Sequence, residues 1–167
     1  MQKKILVAYA SRTGSTAEVA EKIGNTLKDL GASIDVKSVK EISDVSNYDA
    51  IIIGSAVRMF KLLPETMEFF KRFSESFKDK PVAYFIVCLT MKEDNDKNRG
   101  RAETYLKPLY EVKEPVMVGL FAGKIEFSKL SPLWRWFMKV AKIEEGDLRD
   151  WDLIDDWTKR VADILLK

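Results

Sequence analysis

The sequence predicts an α/β fold: a doubly wound, five-stranded parallel sheet of order 2-1-3-4-5 with helices on both faces. Three observations lead there. Short apolar runs alternate with stretches of helical periodicity, the pattern of strand–helix–strand units. The main runs are continuously apolar, as expected of strands covered on both faces. The run at 50–55 also repeats the design of the run at 5–11, with apolar residues ending in small or hydroxylated ones.

Ile5-Leu6-Val7-Ala8-Tyr9-Ala10 reads as the first strand, broken by Ser11-Arg12-Thr13-Gly14-Ser15-Thr16. From Ala17 to Leu30 the pattern turns helical, with Val19, Ala20, Ile23, Leu27 and Leu30 on one face and Gly31 as the stop. Ser33 to Val39 alternates apolar and charged residues and suits a strand nearer an edge. Only Glu41 to Asn47 is available for a helix before the third strand, Ala50 to Ser55. Pro64 opens a helix over Glu65 to Phe77, with Met67, Phe70, Phe73 and Phe77 toward the sheet. Pro81 to Leu89 is the fourth strand, and a helix over Asn98 to Leu109 follows a loop rich in Asp and Asn. Pro115 to Ala122 is the fifth strand, ended by Gly123. Asp150 to Leu166 closes the chain as a helix, with Trp151, Ile154, Trp157, Val161 and Leu165 on one side.

Residues 1–167 are expected to form a single domain with a substantial core. The composition, 46% hydrophobic and 32% charged, is that of a globular protein. A net charge of +2 gives no reason to expect nucleic acid as a partner. There is no His and only one Cys, so imidazole-based triads, an internal disulfide and a Cys-rich zinc site are excluded. No metal site is expected. Cys88, at the end of an apolar strand, reads as a small core residue rather than a redox thiol. The start of the chain lacks a secretory-signal pattern, so the mature protein is expected to begin at Met1 and to be cytoplasmic.

In open α/β sheets ligands bind at the carboxyl ends of the strands, beside the point where strand order reverses. Here that places Ser11–Thr16 next to Ser55–Lys61. The first segment has four hydroxyls in six residues, a glycine, and a helix N-terminus directly after it. Free N–H groups and the helix dipole favour an anion there, and the hydroxyls donate without adding charge. The competing reading is that Ser15 or Thr16 simply caps the helix. The segment matches neither a Walker A loop nor a dinucleotide fingerprint.

Ser-Arg-Thr-Gly-Ser-Thr after Ile-Leu-Val-Ala-Tyr-Ala resembles the flavin mononucleotide (FMN) phosphate loop of flavodoxins, whose pattern is Ser/Thr-x-Thr-Gly-x-Thr. Gly54-Ser55-Ala56-Val57-Arg58-Met59, Leu62-Leu63-Pro64 and Glu144 to Trp151 extend the likeness. They resemble the flavodoxin-like branch that includes bacterial quinone-dependent protoporphyrinogen dehydrogenases. This resemblance implies FMN as cofactor, with Ser11, Arg12, Thr13, Gly14, Ser15 and Thr16 at its phosphate. It places the flavin ring between two loops: Ser55, Ala56, Val57, Arg58, Met59 and Lys61 on one side, and Leu89, Thr90 and Met91 on the other. Ordinary flavodoxins often cover the ring with aromatics, whereas Phe60 is the only aromatic in the first of these stretches. Arg58 and Lys61 near the ring would favour its reduced anionic form, or are ordinary surface charges.

The stretch between Gly123 and Asp150 is longer than a strand-to-helix connection needs. On a helix, Pro132 to Ile143 places Arg135, Lys139 and Lys142 on a narrow basic stripe. Leu133, Trp134, Trp136, Phe137, Met138, Val140 and Ile143 cover most of the remainder. Such a segment is either extra core or a lid or membrane-surface element, in which case the protein lies peripherally on the inner face of the membrane. The resemblance associates this region with membrane and quinone. All four Trp residues follow position 123. Residues 124–142 carry five Lys/Arg against one Glu, and residues 143–156 carry seven Asp/Glu against one Arg.

The expected function is an FMN-dependent oxidoreductase that takes two-electron equivalents from a reduced apolar small molecule, such as a porphyrinogen, and passes them to a quinone. The alternatives are a flavodoxin-type electron carrier docking on partner proteins, or a non-redox FMN-binding regulatory module. Carriers are typically strongly acidic, and this chain is not. The sequence identifies no catalytic acid or base.

Overall fold

The computed structural model describes residues 1–167. Five parallel strands form the sheet: β1 (Lys4–Ala10), β2 (Ser33–Ser38), β3 (Ala50–Arg58), β5 (Val82–Val87) and β6 (Val118–Phe121). They lie side by side in the order β2-β1-β3-β5-β6, with β4 (Lys61–Leu62) folded back on the end of β3. Counted as the five parallel strands, this is the expected 2-1-3-4-5. The order reverses at β1, which has β2 on one side and β3 on the other, both parallel to it.

The central strands are continuously apolar because each face has its own core. Leu6, Ala8, Ile51, Ile53, Tyr84 and Ile86 face one layer, with Phe69, Phe70, Phe73 and Phe77 of α2 (Pro64–Phe77). Ile5, Val7, Ile52, Ala83 and Phe85 face the other. There they meet Val19, Ile23 and Leu27 of α1 (Ser15–Asp29) and Ile154, Trp157 and Val161 of α6 (Trp151–Leu165). Alternate residues of one strand thus supply two cores.

Several elements depart from expectation. Between β2 and β3 the chain makes only a 3-10 turn, Val39–Glu41, and no α-helix. The helix expected over 98–109 is divided into α3 (Asp96–Thr104) and α4 (Lys107–Tyr110). Pro108 explains the break: it cannot donate to the carbonyl of Thr104, and its ring would collide with that carbonyl in a continuous helix. Trp151, expected on the buried side of the last helix, is 36% exposed at its first turn, where the Arg149 guanidinium packs over its ring. The 123–150 insertion begins and ends in a small antiparallel ribbon, β7 (Lys124–Ile125) with β8 (Gly146–Asp147). Between them lies α5 (Pro132–Val140), capped by the Ser131 hydroxyl, which accepts the Trp134 N–H.

Candidate cofactor site

The loop from β1 to α1 has the geometry of an anion site. Gly14 is the N-cap of α1 at φ 93°, a left-handed conformation that glycine adopts without strain, and no side chain caps the helix. Neither Ser15 nor Thr16 is therefore a cap, and the N–H groups of the first turn remain available. The loop is held from within, since Ser11 Oγ accepts the Gly14 N–H at 3.1 Å. Ser15 Oγ accepts the backbone N–H of Lys124 at 3.0 Å, which leaves the Ser15 proton free to donate. Thr16 is 1% exposed, and its hydroxyl bonds to no protein group. Thr13, half-buried, adds another hydroxyl.

Arg12 points elsewhere. Its guanidinium forms a forked pair with Glu65 in the first turn of α2, Nη2 lying 2.8 Å from Oε2. Lys40 Nζ is 3.7 Å from the same carboxylate. Together these cations, Arg12 first, hold the Glu65 carboxyl down at about 2. Glu65 had no signal in the sequence beyond its place at a helix start.

On the ring side, the expected loop 55–61 is a hairpin. β3 continues to Arg58, turns through Met59 and Phe60, and returns as β4, with Val57 opposite Leu62 and Arg58 opposite Lys61. Both turn residues have positive φ, 50° and 62°, the type I′ geometry that suits the strand twist and normally draws Asn or Gly. The absence of those residues hid the hairpin in the sequence. Ser55, expected at the cofactor, is buried as the hairpin's latch. Its hydroxyl donates to the Ala56 carbonyl and accepts from the Leu63 N–H and the Thr66 hydroxyl, at 2.7, 3.2 and 2.9 Å. That exhausts its bonding capacity and leaves none for a ligand.

Ala56 and Val57 are half-buried against the core, and Met59 and Lys61 are exposed. Across from them the chain makes a 3-10 turn over Leu89–Lys92. Leu89 is exposed, and the Thr90 hydroxyl is 2.9 Å from that of Tyr105. Met91 turns inward: it is 4% exposed and lines a cavity of about 170 Å³ with Leu120, Phe121, Ala122 and Leu153. Tyr105 and Arg101, not singled out in the sequence, both pack on Phe60, the guanidinium 4.8 Å from its ring centre. Cys88 is buried as expected, and burial pushes its thiol above the usual range.

The sequence model of the flavodoxin domain matches residues 6–152. The chain belongs to the flavodoxin family. It is 23% identical to the Escherichia coli protein named protoporphyrinogen IX dehydrogenase (quinone), over 95% of this chain and 94% of that one. Over 40% of the chain it is 28% identical to a Caulobacter vibrioides NAD(P)H dehydrogenase (quinone). Among solved structures, an archaeal flavodoxin superposes with a TM-score of 0.61 at 18% identity, covering 98% of this chain and 99% of the other. A Fusobacterium nucleatum flavodoxin bound to flavin mononucleotide gives the same score, identity and coverage.

Within this flavodoxin, α5 settles one of the open expectations. The segment is not extra core: Met138 is its only buried residue, while Leu133, Trp136, Phe137 and Val140 are 72, 63, 50 and 62% exposed. It lies beside the β3–β4 hairpin, since the Arg58 guanidinium sits 5.6 Å from the Trp134 ring centre. Arg58 therefore links the hairpin to the insertion. No helix is long and apolar enough to cross a membrane.

Proposed function

We propose that this flavodoxin binds FMN and acts as an oxidoreductase, moving two-electron equivalents from a reduced apolar substrate to a quinone. The observation that carries the cofactor assignment is the uncapped start of α1, with Thr16, a residue 1% exposed, in its first turn. A phosphate dianion fits that environment: it takes up unpaired N–H donors at the positive end of a helix dipole. Ser11 shapes the loop, Gly14 supplies its turn, and Thr13, Ser15 and Thr16 offer hydroxyl protons. Arg12 acts at one remove, tying the loop to α2 through Glu65. Ala56, Val57, Arg58, Leu89 and Thr90 are the residues proposed to flank the ring. When bound, FMN supplies the two-electron chemistry that no side chain of this chain can perform.

The full-length likeness to the E. coli protein supports a porphyrinogen as substrate and a quinone as acceptor. The outward face of α5 supports the same reading, because it places an apolar surface next to Arg58. A face rich in Trp, Phe and Leu, with Arg135 and Lys139 on the same helix and Lys142 in the turn just after it, suits contact with an anionic membrane surface, where quinones reside.

Two assays test this reading. With FMN-loaded protein, protoporphyrinogen IX and a soluble quinone under anaerobic conditions, porphyrin fluorescence is expected to rise with matching loss of the quinone. Absence of turnover with an intact flavin spectrum would instead favour an electron carrier. For the membrane contact, wild type is expected to float with vesicles containing anionic lipid, and Leu133→Ser/Trp136→Ser to stay behind. Equal behaviour of the two folded proteins would remove the membrane from the proposal.

A further inference from the structure

The insertion that carries α5 is fastened directly to the loop proposed to hold the FMN phosphate. Its entry strand delivers the Lys124 N–H to Ser15 Oγ at 3.0 Å. The strand passes close to the core here: a Cβ on the preceding Gly123 would stand 3.0 Å from Val87 Cγ1, a tight contact, and 3.5 Å from Ser15 Oγ, an ordinary one. Its exit strand is closed against the entry by the Leu148 N–H, which donates to the Gly123 carbonyl at 3.1 Å. Arg149 follows, and its side chain is only 4% exposed. Nε and Nη2 each bond the Asp147 carboxylate at 2.8 Å, Nη1 reaches Glu18 in the first turn of α1, and the guanidinium lies 4.6 Å from the Trp151 ring centre. Asp147 belongs to the ribbon and Glu18 to the helix whose N-terminus is the anion site. A planar guanidinium bridging two carboxylates in fixed geometry is a rigid link between them.

We infer that the insertion is a working part of the phosphate site, with Arg149 as its positioning residue and the Lys124 N–H as the group that orients the Ser15 hydroxyl. With its oxygen engaged by Lys124, Ser15 is left to act as a donor toward the ligand. With Glu18 clamped to the ribbon, the first turn of α1 is held against the loop. This inference rests on the FMN reading and goes beyond it: it makes recognition of the phosphate, rather than of the ring, depend on residues 123–149.

The test compares FMN with riboflavin, which has the same ring system and no phosphate, by fluorescence quenching on wild type, Arg149→Met and Arg149→Lys. Arg149→Met is expected to weaken FMN by about tenfold and leave riboflavin unchanged, with partial recovery in Arg149→Lys. The freed Asp147 and Glu18 carboxylates are 40% and 51% exposed and regain water, so the variant should keep its fold. Equal losses for the two flavins, or none for either, would overturn the inference. Wild type that binds neither flavin would instead defeat the FMN reading itself. Hydrogen exchange on wild type gives a second measurement that needs no variant. FMN is expected to slow exchange at the Lys124 and Leu148 amides, and riboflavin is not. Unchanged exchange at both amides on FMN binding would contradict the coupling.

Discussion

At the scale of single residues, burial and bonding decide roles that residue type alone leaves open. Ser55, within β3, and Ser15, at the start of α1, are both serines expected at the cofactor. One is a saturated internal latch, and the other keeps its proton. Ser55→Ala strands the Leu63 N–H and the Thr66 hydroxyl, and is expected to cost about 1–3 kcal/mol in denaturant unfolding. Glu65 makes a pH prediction. Its carboxyl is held down from 4.5 to about 2, chiefly by Arg12. A lowered folded-state value stabilises the protein above the unfolded value, and the contribution is lost as pH falls. The stability advantage of wild type over Glu65→Gln should therefore be constant above pH 4.5 and fade toward pH 2. Such roles were only partly legible. Hydroxyl density marked the β1–α1 loop, but nothing in the sequence reveals that Lys124, far along the chain, bonds to Ser15.

At the scale of elements, the strands were legible because two-sided burial writes a continuous apolar run. Gly54 shows how tight that layer is: a Cβ there would come within 1.9 Å of the Phe85 ring. Gly54→Ala is expected to destabilise by about 1–3 kcal/mol, read as a lowered denaturant midpoint with an unchanged slope. The hairpin was not legible, since Met59 and Phe60 occupy left-handed positions usually given to Asn and Gly. Relieving that strain with Met59→Asn/Phe60→Gly is expected to raise stability by about 1–2 kcal/mol. The Phe60 contacts with Tyr105 and Arg101 pull the other way, so the gain should be larger for Met59→Asn than for Phe60→Gly when each is measured alone. For α5 the periodicity gave a helix but could not say what covers it. Apolar spacing defines a face, and only tertiary structure shows whether protein or solvent meets that face.

At the scale of the whole molecule, a flavodoxin core carries an insertion that reaches two places at once. Its base is pinned to the β1–α1 loop by Lys124 and Arg149, and its helix lies beside the ring-side hairpin through Arg58 and Trp134. The uneven charge and Trp content of the sequence pointed to this region; its two attachments became visible only in three dimensions. One polypeptide segment thus joins the proposed phosphate site to an apolar surface fit for substrate or membrane. The most direct measurement of the central claim is an anaerobic reductive titration of the protein reconstituted with FMN, followed by addition of a soluble quinone. The expected result is a bound flavin spectrum, reduction by two electrons per protein, and full reoxidation by one equivalent of quinone. A protein that retains no flavin absorbance, or a reduced flavoprotein that quinone leaves untouched, would contradict it.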